Sequence, residues 1–208
     1  MKAIKSYSAL EELGRVRLSK NYFMRDFLYS EISNFYGIPN FPDDPELAIA
    51  AGHGLCENLL EPLKEQFGQV TIRSAYRSPA VNGYGNKNKL NCASNESNAG
   101  HHIWDHRDKN GNMGATACIT IPWFYDHFQE EGDWQMLAWW IHDHLPYCSM
   151  EFFPKLWAFN LRWSETPERK ITSYAKPKGI LTKPGMPNFV GGHAGEYECM
   201  LDAIKKQL

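Results

Sequence analysis

Residues 46–67 carry Leu47, Ala50, Leu55, Leu59, Leu60, Leu63 and Phe67 close to the helical repeat, which predicts one apolar face of a long helix. Pro62 interrupts that face and Gly68 ends it. A second helical pattern, Phe23 to Ile32, precedes it and stops at the turn signals between Gly37 and Pro45. Beyond Gly68 the chain changes character. Val70 to Tyr76 reads as a short strand, and Ala115 to Pro122 as a buried one by its β-branched content. Trp134 to His144 is an aromatic-rich helix, followed by two further strands, Tyr147 to Phe153 and Trp157 to Trp163, suited to pairing. Helices first and short strands afterwards predict an α+β fold, with N-terminal helices packed on a small, mostly antiparallel sheet.

The flanks look plainer. Residues 1–20 read as a polar lead-in, helical in part through Ala9 to Leu13, and residues 166–208 as an extended, irregular segment rich in Lys, Pro and Gly. Between Asn82 and Gly114 the chain is polar and aperiodic; a tract that long inside one domain points to ordered, functional loops. At 208 residues and 43% hydrophobic content the chain is long enough for one substantial core. A net charge of -2 with no basic run argues against a nucleic-acid partner, and no apolar stretch reaches membrane-spanning length. Five cysteines without paired spacing read as free thiols of a reducing compartment. Met1 to Lys20 has no apolar signal-peptide core, so a cytoplasmic product is expected.

Two stretches resemble the M15 (D-Ala-D-Ala carboxypeptidase, Hedgehog-type) metallopeptidase family. The first runs over residues 22–82: Tyr22-Phe23, Asp26-Phe27, Gly37-Ile38-Pro39-Asn40, Leu60-Glu61-Pro62-Leu63, then Ile72-Arg73-Ser74-Ala75-Tyr76-Arg77-Ser78-Pro79 and Asn82. The second corresponds to the family's zinc motif, Ser97 to His102 and Gly114 to Ile119, split by an insertion at residues 103–113. The resemblance implies a Hedgehog/DD-peptidase-like domain over residues 20–165, a zinc ion, and hydrolysis of a peptidoglycan-type peptide. It also carries departures. His102 keeps one ligand position, Cys118 stands where the family has Asp, and Asn160 stands where it has the second His. Trp157 takes the place of the catalytic Glu, which leaves Glu151 as the nearest acidic side chain upstream.

Three readings of that site stay open. Thiolate and imidazole both bind zinc, so His102 and Cys118, with His101, Asp105, His106 or Asp108 from the inserted loop, compose an altered metal site. Glu151 would then activate the bound water and Arg77 would stabilise the oxyanion, the role its family counterpart resembles. Cys118, His102 and Asn160 also have the composition of a Cys-His-Asn hydrolase. The third reading is a catalytically inert module that binds a peptide, a peptidoglycan fragment or a protein partner in an assembly such as a phage particle. Elsewhere, His142-Asp143-His144 and His193 read as ordinary helix-end and exposed histidines, and Asp105 to Gly111 as a solvated turn.

Overall fold

The computed structural model describes residues 4–206. Its organising rod is the apolar helix expected over residues 46–67, which changes pitch partway. Helix α3 (Pro45–Leu55) begins at Asp44, whose side chain accepts from the Leu47 N–H. A π-helical turn (Cys56–Leu60) follows, and α4 (Glu61–Phe67) continues to Gly68. Pro62 has no N–H to return to the preceding turn, and the helix widens immediately before it.

The pattern over Phe23 to Ile32 does not form one helix. A 3₁₀ turn (Met24–Phe27) and α2 (Glu31–Tyr36) are separated because Ser30, in extended conformation, caps α2 by accepting from the Ser33 N–H. Residues 1–20 are more than a lead-in. Helix α1 (Tyr7–Gly14) and the turn after it place Leu13 and Leu18 wholly in the core. The polar 82–114 tract holds α5 (Pro79–Lys87) and α6 (Asn95–Asn98), joined by buried Asn82, which donates to Ala93 O and Asn95 and accepts from Asn98.

The strands are β1 (Thr71–Ser74), β2 (Gly114–Thr120), β3 (Ser149–Phe152), β4 (Phe159–Ser164), β5 (Lys170–Ser173) and β6 (Gly179–Thr182), ordered β1-β2-β4-β3-β5-β6. Four of the five pairings are antiparallel, as expected, and the parallel pairing of β3 with β5 makes the sheet mixed. Helices α7 (Pro122–His127) and α8 (Trp134–His144) lie between β2 and β3. The segment after residue 165 supplies β5, β6 and α9 (Ala194–Lys205), so it is not irregular. Its apolar residues are too sparse to show a period, yet Ile171, Tyr197 and Met200 are buried against the rest of the core. The fold is therefore α+β.

The two sheet faces differ sharply. Phe152, Phe159, Leu161, Met150 and Ile171 alternate onto one face and are fully buried. Helix α3 crosses that face closely enough that Gly54 lies under the Trp163 ring, and Trp134 of α8 packs on Phe152. The opposite face carries polar side chains and is the floor of a cleft. No helix among the described residues is long and apolar enough to cross a membrane.

Candidate functional site

Strand register builds the floor of the cleft. Ser74 pairs with Cys118, Cys118 with Asn160, Asn160 with Glu151, and Glu151 with Thr172. Directly paired residues share a face, so these five side chains form one row across five strands. Above the row lies a cleft of about 650 Å³ bordered by Arg77, His102, Cys118, Glu151, Asn160 and Tyr174. All five residues singled out from the sequence meet there. The cleft runs on past Ser74 and Cys118 into a hollow beside Glu31, Arg73 and Lys155. On the other side, His102, Glu151 and Asn160 also border a second hollow. The whole is elongated, as a groove for an extended chain is.

His102 is held by the loop that follows α6. Its ring faces Ala75 O from Nδ1 at 2.7 Å, and a carbonyl can only accept, so Nδ1 carries the proton. Burial, with Arg77 adding to it, pushes the ring down to about 3, and it is neutral at ordinary pH. Its backbone carbonyl accepts from the Arg77 N–H at 2.8 Å, which ties the two residues together. The Arg77 guanidinium reaches the Cys92 sulfur at 3.4 Å. Asn160 donates to the Glu151 carboxylate at 3.3 Å, so the acid is anchored by a neutral amide.

Cys118 is partly buried, and desolvation raises its thiol to about 11 against the opposing pull of Arg73 and Arg77. Burial raises the thiol and lowers the imidazole, so both shifts run against a thiolate–imidazolium pair. The Cys-His-Asn composition is present, without the lowered thiol that marks such a nucleophile.

Two of the four donors that could complete a metal site are engaged elsewhere, and a third, His101, borders the hollow beside His102. Asp105 accepts from the Asp43 N–H and the Tyr76 hydroxyl, and Asp108 is paired with buried Arg162. His106 is exposed. Among the described residues no group of three or more His, Cys, Asp or Glu side chains could hold an ion together. The cleft presents the His102 imidazole, the Cys118 thiol, the Glu151 carboxylate and the Asn160 amide, a donor set that differs from the resembled family's His, Asp and His. The insertion does not cover the cleft either. Trp104 is buried in the core and donates from Nε1 to Thr116 O, and residues 103–113 border none of the three hollows.

Tyr174, Thr172, Thr116 and Arg162 also face the cleft and its extension, and little in the sequence pointed to them. Arg162 was legible in principle, two residues from Asn160 on the same strand. Three histidines beyond the cleft are held by hydrogen bonds. His142 meets the Tyr147 hydroxyl at Nδ1 and Phe189 O at Nε2, and His144 meets Trp140 O. His193 bonds Asp143 at 2.7 Å and stacks on Trp139, so it is not exposed as expected. The chain matches no family model, no curated protein and no solved structure.

Proposed function

We propose that this chain is a Hedgehog/DD-peptidase-type, M15-like domain that binds a peptidoglycan-type peptide in the cleft without hydrolysing it. The observation that carries this reading is the row Cys118, Asn160, Glu151 beside His102. The cleft is open and elongated, yet the positions that hold metal in the resembled family present a thiol, an amide and a buried neutral imidazole. Arg77 and Glu151 offer one charge of each sign to a ligand that carries both, as a peptide does. A place in a phage particle or another assembly is consistent with such a binding module.

Calorimetric titration with a soluble stem peptide, run beside mass spectrometry of the same mixture, tests the proposal. Saturable binding that weakens about tenfold in Arg77→Ala or Glu151→Gln, with the peptide recovered intact, is the expected result. Cleavage products that vanish in Cys118→Ala or His102→Ala would show a rewired hydrolase instead. An absence of binding would sink the reading outright.

A further inference from the structure

Strand β1 is an edge of the sheet, and its register with β2 shifts partway along. Ile72 stands opposite Ile119 and Ser74 opposite Cys118, so Arg73 is the extra residue of a bulge. In a regular strand neighbouring side chains point to opposite faces, yet Arg73 and Ser74 both border the hollow of about 440 Å³ at that end of the cleft. Two more irregular segments reach the same hollow. Asn91 holds a left-handed φ of 57° in the loop after α5. Lys155 lies in the β3–β4 turn, just before Leu156 and Trp157 at φ 60° and 44°. That turn is held by the Thr120 hydroxyl, which donates to Leu156 O, and by Trp157 Nε1, which donates to Phe128 O. Bulky side chains at positive φ are strained, and such positions persist where the surroundings fix them, commonly around a ligand.

The side chains gathered there carry charge that the protein leaves unused. Arg73 and Lys155 are exposed, and the side chain of neither makes a hydrogen bond or ion pair among the described residues. Glu31 is the one acid bordering the hollow, and it pairs with neither of them, so one positive charge is in excess. The next charges along the cleft, Arg77 and Glu151, are one of each sign and do not remove that excess. The Arg73 guanidinium bears on the Cys118 thiol more strongly than Arg77, Glu151 or Glu31 does, which sets it close to the floor of the cleft. Ser74 and Asn91 add a hydroxyl and an amide at the same place. A guanidinium presents paired N–H groups that match the two oxygens of a carboxylate, and an ammonium and two neutral donors serve the remaining lone pairs.

We infer that this hollow is a carboxylate subsite of the groove, in which Arg73 and Lys155 hold an acidic group of the bound peptide. It rests on the reading of the cleft as a peptide groove, and one set of titrations separates the two. Arg73→Gln and Lys155→Gln replace exposed side chains and are expected to keep the wild-type Tm. Wild type and both variants are titrated calorimetrically with the soluble stem peptide in four forms: unmodified, amidated at the C-terminus, amidated at its glutamate, and amidated at both. Arg73→Gln should bind the unmodified peptide about tenfold more weakly than wild type does, and the doubly amidated peptide equally well. Lys155→Gln should show the same pattern with a loss of about threefold. The singly amidated form that wild type binds weakly then identifies the carboxylate as the terminal one or the side-chain one. Equal affinity of wild type and Arg73→Gln for the unmodified peptide, or the same loss with the doubly amidated one, overturns the subsite. Either result leaves the groove standing, because wild type still binds. A wild type that binds none of the four forms removes the groove and the subsite together.

Discussion

His102 stays neutral far into acid because burial and the Ala75 carbonyl fix its ring with one proton. In the unfolded chain a histidine charges near 6.5. Between those values the unfolded chain holds the extra proton, so stability is complete above about pH 6.5 and falls as pH drops toward 3. Each pH unit inside that window removes up to about 1.4 kcal/mol. Urea unfolding at pH 7, 6, 5 and 4 should show this slope in the wild type and a shallower one in His102→Gln. Parallel curves for the two proteins would contradict it. The residues of the cleft were legible because the resemblance supplied positions on separate segments and the register of β2, β3 and β4 brings those positions to one row. The bulge at Arg73 was not, since an extra residue on one strand is defined by the partner strand and leaves no mark on the sequence.

At the scale of elements, β2 is set by a close backbone crossing at its first residue. A Cβ added to Gly114 would stand 2.4 Å from Gly100 O and 3.0 Å from Trp163 O, both backbone atoms that cannot swing aside. Gly114→Ala should therefore cost about 3 kcal/mol in chemical denaturation and displace the 98–102 loop that carries His102. A stability loss below about 0.5 kcal/mol would mean that the crossing is looser than the structure shows. Elements with a long, strong period were readable: α8 was expected over Trp134 to His144 and runs over those residues. The break at Ser30 was not, because a serine cap wins locally over an apolar pattern that continues through it. Strands β5 and β6 were missed for a different reason. Each is four residues long, and each gains its identity from its neighbour in the sheet rather than from its own composition.

Across the whole molecule, both chain ends are fastened by single carboxylates on the helical side of the sheet, and the cleft face is left open. Glu61 of α4 accepts from the Ser19 hydroxyl, the Asn21 N–H and the Asn21 amide, each at 2.6 Å. Asp143 at the end of α8 accepts from the His193 N–H, the His193 ring and the Tyr197 hydroxyl of α9. Burial works against the charge in both, yet these hydrogen bonds hold both carboxyls below their ordinary values. The stability they give is complete above the unfolded values near 4.5 and 3.8, and is lost as pH falls through the lower folded ones. At neutral pH, Glu61→Gln and Asp143→Asn should each weaken one attachment by about 1–3 kcal/mol, because an amide cannot accept from every donor the carboxylate serves. Hydrogen exchange at pH 7 separates local from global effects. Glu61→Gln should speed exchange in the turn after α1, and Asp143→Asn in α9, while β2 and β4 keep wild-type protection. If β2 and β4 lost protection in step with the ends, the anchors would belong to one cooperative unit with the sheet. In that case ligand affinity in the cleft should fall with them, whereas independent anchors leave it unchanged.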